Sequence, residues 1–403
     1  MTDRLSALVL FLALVCLGCG EAPSSIPRVG IAKPELPAST PAENTRDTPD
    51  EVVETTPEPS LEELRGVWVT RWTYDSEADV KTAMGDLSKA GFNAVYFQVR
   101  GTFDAYYQSD IEPWPERLKD SSWDPLAVAV KEGHAQGLQV HAYLNTFPLW
   151  NGPVAPKAQD HAYHTDEAWR IVKSNGETMG LNKGYIFASP GVTAVRERVE
   201  AVARDIDARY DVDGIHLDYI RYPSRSYSSD AESVSGIAAT GADRATWQRA
   251  QVLDTVQRVQ DAVKVPVTAA VWGVYENRWN WKSVSEGNKD FYQDSAQFLA
   301  TGAADATMPM IYWPVKEDAG RLDFRTLVED HLSRAHGRYI YAGVTAEQGY
   351  DVAVGCVKSA REEGAQGFVL FDYRTARDAG WLQQFGDALF TEDAVVPTMP
   401  WRD

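Results

Sequence analysis

The stretch that decides the fold is residues 213–223, which read DGIHLDYIRYP. Apolar residues alternate there with His216 and Asp218, which is the spacing of a β-strand whose polar side chains share one face. An isolated aspartate in a strand is commonly held by a neighbouring base or backbone amide. The position of this strand among the others therefore decides whether Asp218 belongs to a packed core or to a functional site.

Short β-branched or aromatic runs alternate with helical patterns from residue 65 onward. The predicted strands are GVWVT (66–70), NAVYFQV (93–99), LQVHAYL (138–144), GIHLDYI (214–220), PVTAAVW (266–272), ATMPMIYW (306–313), RYIYAGV (338–344) and QGFVLFDY (366–373). This pattern predicts an α/β fold, a closed (β/α)8 TIM barrel, with an open doubly wound sheet as the alternative. An open sheet usually has a glycine-rich phosphate loop after its first strand, and residues 69–79 contain none. In a barrel, Asp218 lies at the C-terminal end of the fourth strand, where catalytic groups gather.

Composition and charge exclude several classes of partner. The 403 residues carry a formal charge of −19, which would repel nucleic acid. The cysteines Cys16, Cys19 and Cys356 do not have zinc-site spacing, and His161 and His164 form no metal motif. We therefore expect no nucleic-acid partner, no metal and no cofactor.

The N-terminal residues have the pattern of a targeting segment. An apolar run over residues 8–17 is too short to span a bilayer but suits a signal peptide. The following CLGC resembles a bacterial lipobox, which predicts a signal peptide over 1–19 and lipidation at Cys19. Ordinary secretion and an unprocessed anchor are the alternatives. The resulting expectation is a lipoprotein of the bacterial cell envelope, anchored to a membrane and facing the periplasm or the exterior.

Three further segments complete the predicted organisation. Residues 20–62 are rich in Pro, Thr and Glu and are predicted to form a disordered linker. The barrel is predicted over 63–390, with a tail over 391–403. The long segment between Asn145 and Ala188 is predicted to be an elaborated loop after strand three that folds over the rim.

Aromatic and polar side chains follow the predicted strand ends. Flat aromatic faces match the C–H faces of sugar rings, whereas a cleft for a small anion would require more Arg and Lys. The predicted substrate-binding residues are Arg100, Asp104, His141, Asn145, His216, Trp272, Tyr312, Trp313 and Asp372. For Arg100 the alternative is a structural pair with a rim carboxylate. His216 is expected to orient Asp218 or to bind a sugar hydroxyl.

Cleavage of a glycosidic bond requires two carboxyl groups, one that protonates the leaving oxygen and one that attacks or activates water. Asp218 is the predicted nucleophile or electrostatic stabiliser. Glu276 is the predicted acid, because nearby tryptophans in residues 272–281 could keep its carboxyl protonated. A solvated loop carboxylate is the alternative for Glu276, and the competing candidates are Asp372, Glu347 and Asp104.

Several ordered blocks resemble the glycosyl hydrolase-like 10 family of bacterial envelope lipoproteins. They are ELRGVWVTRW (63–72), GFNAVYFQVR (91–100), WDPLAVAVKEGHAQGLQVHAYLN (123–145), YDVDGIHLDYIRYP (210–223) and DATMPMIYW (305–313). The resemblance implies a (β/α)8 barrel. Members with an assigned activity are similar to hydrolases of peptidoglycan glycan strands stripped of peptide. The resemblance therefore implies an anchored cell-wall glycosidase whose partner is a polysaccharide.

The resemblance also places the family's motif residues on this chain. The strand-four aspartate falls on Asp218, the QVR motif on 98–100, and the other matches on Asp104, His141 and Asn145. One departure is Tyr219, where members of the family commonly have a second acid. This departure leaves two other hypotheses open: a glycan-binding envelope lipoprotein without catalysis, and a hydrolase of another exopolysaccharide.

The fourth strand is also similar to that of family 18 chitinases. Their catalytic glutamate would fall on Ile220, so their substrate-assisted mechanism is not supported.

Overall fold

The computed structural model describes residues 61–316 and 322–402. The predicted signal peptide with Cys19, and the predicted linker as far as residue 60, lie outside the described residues.

Eight parallel strands close into a barrel in sequence order, which confirms the predicted fold. They are β1 (Leu64–Val69), β2 (Ala94–Arg100), β3 (Gln139–Asn145), β4 (Gly214–Asp218), β5 (Val267–Trp272), β6 (Ala306–Met310), β7 (Tyr339–Thr345) and β8 (Gly367–Phe371). Four of them, β1, β4, β6 and β8, end earlier than predicted. β4 ends at Asp218 because the next residue, Tyr219, has a positive φ of 50°. β6 and β8 also end early, so that Tyr312 and Asp372 lie in loops at the mouth.

Helices pack around the outside of the barrel. The barrel helices are α1 (Glu77–Lys89), α2 (Pro125–Ala135), α3 (Thr193–Arg209), α4 (Arg244–Ala262), α5 (Ser295–Ala300), α6 (Phe324–Leu332), α7 (Tyr350–Glu362) and α8 (Leu382–Leu389). Shorter helices are Ala162–Thr165, Ala231–Thr240, Gly287–Asp290 and Tyr373–Asp378, with 3-10 turns at Glu167–Trp169 and Pro400–Arg402. None of the helices in the described ranges is long and apolar enough to cross a lipid bilayer.

Two apolar layers form the core. The larger layer lies between strands and helices, and the smaller one fills the barrel interior with Trp68, Tyr96, Tyr143, Met308 and Tyr341. Because side chains alternate along a strand, most barrel strands contribute to both layers. The interior is therefore packed, and function is confined to its ends.

The C-terminal segment covers the N-terminal end of the barrel. Residues 394–395 pair with 61–62 in a small parallel sheet. Trp401 and Arg402 donate hydrogen bonds of 2.8 and 2.6 Å to Asp305, which directly precedes β6. Because this end is covered, the mouth at the C-terminal ends of the strands is the end available to a ligand.

The segment after β3 is elaborated, as predicted. Strands Pro148–Asn151 and Tyr185–Phe187 form an antiparallel hairpin within it. Tyr185 contacts Tyr219 at 5.2 Å between ring centroids and accepts a hydrogen bond of 2.8 Å from Arg71. The hairpin therefore lies against the β4 side of the barrel mouth.

Candidate active site

Asp218 lies at the C-terminal end of β4 with its two carboxylate oxygens each accepting one hydrogen bond. The Tyr143 hydroxyl donates to Oδ2 at 2.7 Å, and the backbone N–H of Tyr219 donates to Oδ1 at 2.5 Å. The residue is 8% exposed. Burial raises the pKa of Asp218, although both hydrogen bonds oppose this effect. Asp218 is thus a desolvated carboxyl group that its donors hold in one orientation.

Local backbone geometry fixes this orientation. The positive φ of Tyr219 turns the chain directly after the strand, so that its N–H reaches back to the preceding carboxylate. The carbonyl of Asp218 accepts a hydrogen bond of 2.8 Å from the Thr146 N–H, which extends the pairing of β3 with β4 to the rim. A β4 strand that ends in this way presents its last carboxyl group at the mouth instead of continuing into the loop.

Tyr312 connects Asp218 electrostatically to two other carboxyl groups. Burial raises the pKa of Tyr312 well above its ordinary range, and the negative charges of Asp218, Asp372 and Glu347 raise it further. Its ring stacks on Phe371 at 5.7 Å. Three carboxyl groups from the ends of β4, β7 and β8 therefore lie around one tyrosine at the mouth.

Two of these carboxyl groups differ in how they are held. Asp372 is buried and caps the helix Tyr373–Asp378, accepting a hydrogen bond of 2.9 Å from the Thr375 N–H. Among the described residues, none donates a hydrogen bond to the Glu347 carboxylate. Glu347 as a whole is exposed, but nearby protein removes part of the water around its carboxyl group. This partial desolvation, and to a smaller extent the charge of Asp372, raise the pKa of Glu347.

Glu276 lies in a different environment from the one the sequence suggested. Its side chain is 53% exposed, and its carboxylate lies 3.7 Å from the guanidinium of Arg334, after α6. No hydrogen bond or ion pair joins it to Asp218 in the described part of the chain. The expected apolar setting is absent because neighbouring Trp279 and Trp281 stack on each other at 4.4 Å, leaving the carboxyl group in water. This placement does not support Glu276 as the acid.

The two predicted histidines lie below the mouth, in the barrel interior. His216 accepts a hydrogen bond of 3.0 Å from the Trp68 indole and has its other nitrogen 2.9 Å from Thr268 Oγ1. His141 stacks on Tyr96 at 4.7 Å and packs against Gly214, where a larger side chain would collide with it. Neither ring contacts Asp218. The geometry therefore does not support the expected role of His216 in orienting that carboxylate.

Arg100 forms a structural pair with a carboxylate, which was the alternative to substrate binding. Its guanidinium forms two hydrogen bonds, of 2.8 and 2.7 Å, with the Glu112 carboxylate, and both side chains are fully buried. It also donates to the backbone carbonyls of Asn145 and Thr146 at 2.5 and 2.8 Å. With its donors occupied by these groups, Arg100 fixes the end of β3 and is not free to bind a substrate.

Asn145 lies beside Asp218 in the β3–β4 register. Its side-chain oxygen accepts a hydrogen bond of 3.0 Å from Gln98, whereas its Nδ2 is buried without a hydrogen-bond partner among the described residues. An unused amide donor next to a rim carboxylate suits a ligand hydroxyl or carbonyl. Asn145 therefore remains a candidate for binding substrate.

Asp104 lies in the loop after β2. Its carboxylate accepts a hydrogen bond of 2.6 Å from the Thr102 N–H. A Cβ atom built on Gly101 would lie 2.8 Å from both Asp104 Oδ1 and Arg71 Nε, which shows how closely the two side chains approach. Glycine at 101 thus leaves room for both side chains.

Aromatic side chains lie near the strand ends at the mouth. Trp272 packs against Phe291 at 4.4 Å and donates a hydrogen bond of 2.8 Å to the Ser285 carbonyl. Trp313 is partly buried and packs against the outer layer. Trp72 is 41% exposed, with the Arg71 guanidinium 4.6 Å from its ring centroid.

Three residues next to Asp218 were missing from the sequence prediction: Tyr143, Arg71 and Arg221. Both arginines act electrostatically on Asp218. The signal for Tyr143 was its position in β3, two residues before Asn145 on the same face. The two arginines lie in loops, where the alternation of a strand does not indicate which way a side chain points.

Comparison with known proteins agrees with the barrel fold. The chain is 24% identical to glycosyl hydrolase YngK of Bacillus subtilis (strain 168) over 389 residues, covering 85% of this chain and 74% of that protein. It is 24% identical to glycosyl hydrolase DigH of Escherichia coli (strain K12), covering 80% of this chain and 78% of that protein. The fold is similar to the glycoside hydrolase domain of PgaB (BpsB) from Bordetella bronchiseptica, with a TM-score of 0.62, 13% identity, and coverage of 82% and 99%.

The family itself is identified over the greater part of the barrel. The Glycosyl hydrolase-like 10 family matches residues 63–353, from the start of β1 into α7. This range includes Asp218 and Glu347. The chain therefore belongs to the Glycosyl hydrolase-like 10 family, and it is a glycoside hydrolase with a TIM-barrel fold.

Proposed function

We propose that this protein is a lipid-anchored glycosidase of the bacterial cell envelope that cleaves peptidoglycan glycan strands. In this proposal Asp218 and Glu347 are the two catalytic carboxyl groups. The observation that carries the proposal is the placement of Asp218, a buried carboxyl group held by two donors at the mouth of the barrel.

Asp218 suits the role of a carboxylate that attacks the sugar, activates water or stabilises positive charge at the anomeric carbon. Both of its described hydrogen bonds come from donors, so they stabilise the ionised form. Burial removes competing water and strengthens its interaction with a developing oxocarbenium ion. Its raised pKa marks the cost of that burial.

Glu347 suits the role of the proton donor. Partial desolvation and the charge of Asp372 raise its pKa, which favours a protonated carboxyl group. Because β7 and β4 stand on different sides of the closed barrel, a glycosidic bond could lie between the two groups. Asp372 then acts on Glu347 through its charge while it caps the helix after β8.

The proposed substrate class and cellular location rest on the sequence as well as on the side chains at the mouth of the barrel. The family resemblance implies glycan strands without peptide, and the aromatic walls with Trp272 and Tyr312 suit sugar rings. Lipidation at Cys19, followed by the predicted linker, would tether the barrel to a membrane near the cell wall.

The test is a digest of purified, peptide-free glycan strands by the wild type and by Asp218→Asn. We expect the wild type to release reducing ends and the variant to lose about a thousandfold or more of that rate. The control is Asp110→Asn, an exposed carboxylate in the loop before α2, which is expected to retain wild-type activity. Thermal melting of each protein shows whether it is folded.

Two outcomes would contradict the proposal. Strands that bind without any release of reducing ends would support the glycan-binding alternative. Release from another exopolysaccharide, but not from these strands, would retain the glycosidase and replace its substrate.

A further inference from the structure

Arg221 occupies an unusual position beside Asp218. In the described part of the chain, its guanidinium makes no hydrogen bond and no ion pair, and its Nε is buried without a partner. Three aromatic rings surround it, Tyr219, Trp272 and Phe291, with their centroids 4.9, 5.3 and 5.1 Å from its central carbon. This is a cation held among aromatic faces with its donors unused.

Such an arrangement costs free energy in the absence of a ligand. Arg221 is partly exposed, but its Nε is buried without an acceptor, and aromatic faces offset only part of the solvation that this group loses. Burial lowers the pKa of Arg221, although the nearby Tyr219 and Asp218 oppose this effect. The cost is explained if a ligand supplies the missing acceptors.

Other arginines of the mouth are held differently. Arg100 is paired with Glu112 through two hydrogen bonds. Arg71 donates to the Tyr185 hydroxyl at 2.8 Å and lies beside Asp104. Arg221 thus differs from them in having its donors available at the mouth, between the ends of β4 and β5.

The position of Arg221 relates it to the reacting carboxyl group. It follows Asp218 by three residues, and its charge acts on that carboxylate without forming an ion pair with it. Trp272, which forms one wall of its aromatic surroundings, also ends β5 at the mouth. A sugar bound against Trp272 and next to Asp218 would therefore place its substituents near the guanidinium.

We propose that Arg221 binds a carboxylate carried by the sugar that lies next to Asp218. This inference rests on the proposed glycosidase function and names the substrate feature that the site recognises. A guanidinium can form two parallel hydrogen bonds with a carboxylate, which sugar hydroxyls cannot match in charge. It also offsets locally the repulsion between an anionic sugar and a chain of net charge −19.

Two sugars could supply this carboxylate. One is a muramic acid residue without peptide, whose lactyl group ends in a free carboxylate. The other is a uronic acid residue, whose carboxylate is attached directly to the ring. Both present the same charged group, so binding measurements on matched pairs of glycans are needed to identify the source.

The experiment measures binding to the Asp218→Asn protein, which separates recognition from cleavage. The first pair of ligands is peptide-free glycan strands and the same strands after reduction of their carboxyl groups to alcohols. The second pair is a uronic acid polysaccharide and its carboxyl-reduced form. We expect binding to be about tenfold or more tighter for the carboxylate form of one pair, and that pair identifies the sugar.

Arg221→Gln, introduced into the same protein, is expected to remove this preference while leaving affinity for the reduced glycan within about twofold. Arg221→Lys keeps the charge but not the paired donors, so an intermediate preference is expected. The control is Arg225→Gln, because Arg225 is exposed and paired with Asp290 at 2.8 Å. This control is expected to retain the full preference.

Equal affinity for carboxylate and reduced forms in both pairs would overturn the inference. So would an equal loss of affinity for both forms in Arg221→Gln, since that result indicates a structural role. If Arg221→Gln melts at a lower temperature, Arg221→Lys supplies the comparison. A carboxylate preference without cleavage by the wild type would retain the inference and reject the proposed hydrolase. Equal cleavage of the carboxylate and reduced forms would support the hydrolase and reject the inference.

Discussion

His216 and Asp218 lie at neighbouring levels on the inward face of β4, yet their surroundings differ in kind. His216 is fully buried, with both ring nitrogens engaged by Trp68 and Thr268. Asp218 also accepts two hydrogen bonds, but it faces the mouth, near Arg221 and Tyr312. The polar network around His216 is thus closed, whereas the network around Asp218, one level higher on the same strand face, is open to the mouth.

The difference lies in how the polar side chain at each level is held. Below the mouth, burial lowers the pKa of His216 well below its ordinary range, so its ring stays neutral and satisfies its partners. At the mouth, Asn145 Nδ2 and Arg221 Nε have no partner among the described residues. The packed interior also has buried polar atoms without a partner, such as the hydroxyls of Tyr96 and Tyr341, so the site differs from the core in having unused donors beside a carboxyl group at the open mouth.

After the loss expected in Asp218→Asn, the largest expected effect comes from removing the proposed acid at the mouth. Glu347→Gln is expected to lower cleavage of glycan strands about a hundredfold, because the amide cannot protonate the leaving oxygen. An aryl glycoside whose leaving group needs no proton should be affected much less. Steady-state rates with both substrates provide the measurement.

Glu276→Gln is the matched control for this carboxyl group. The Glu276 side chain is half-exposed and faces Arg334, so its substitution is expected to leave both rates unchanged. A loss of activity in Glu276→Gln, together with normal activity in Glu347→Gln, would identify Glu276 as the acid, as the sequence predicted.

A second prediction concerns the level below the mouth. His216→Leu is expected to lower the free energy of unfolding by about 2 kcal/mol, because the buried Trp68 indole N–H loses its acceptor. The rate per folded molecule should change much less than in Asp218→Asn. Chemical denaturation and an activity assay at low temperature measure the two effects.

His134→Leu is the control for that substitution. The side chain of His134 is 34% exposed, and its contact is a hydrogen bond of 2.9 Å to Asp213 on the outside of the barrel. Its loss is expected to cost less than about 1 kcal/mol. An equal loss of stability in both variants would show that the interior network contributes no more than a surface contact.

How much the sequence predicts differs between strands and loops. The barrel strands were predictable because burial on both faces gives continuous apolar runs, and a residue at a strand end has a defined position. Asp218 and Asn145 were therefore placed at the mouth from their order in the chain alone. His141 and His216 lie four and two residues before the ends of their strands, so they share a face with the mouth residues but lie lower in the barrel.

Loop residues were less predictable for a physical reason. The direction of a loop side chain depends on contacts distant in sequence, such as that of Glu276 with Arg334. Arg221 was missed for the same reason, although its position in YIRYP, among aromatic residues directly after β4, was a signal available in the sequence. Carboxyl groups in neighbouring loops can be ranked only when the direction of each is known.

The smallest expected effect is a dependence of stability on pH that comes from Asp218. Its pKa is raised in the folded protein, so the unfolded chain releases this proton at lower pH. Below the ordinary value of 3.8 the carboxyl group is protonated in both states and costs nothing. As the pH rises through the window between the two pKa values, the unfolded state gains stability first, and the folded protein loses about 1.4 kcal/mol for each unit that separates them.

Asp218→Asn removes this loss, because an amide does not titrate. Its oxygen can still accept from the Tyr219 N–H, and its nitrogen can donate to the Tyr143 hydroxyl. The variant should therefore become more stable than the wild type as the pH rises above 3.8, by an amount that levels off once the folded carboxyl group ionises. Denaturation at a series of pH values measures this difference, with Asp110→Asn as the exposed control. A constant difference over that range would mean that Asp218 is as well solvated as a surface carboxylate, and the contrast with His216 would then disappear.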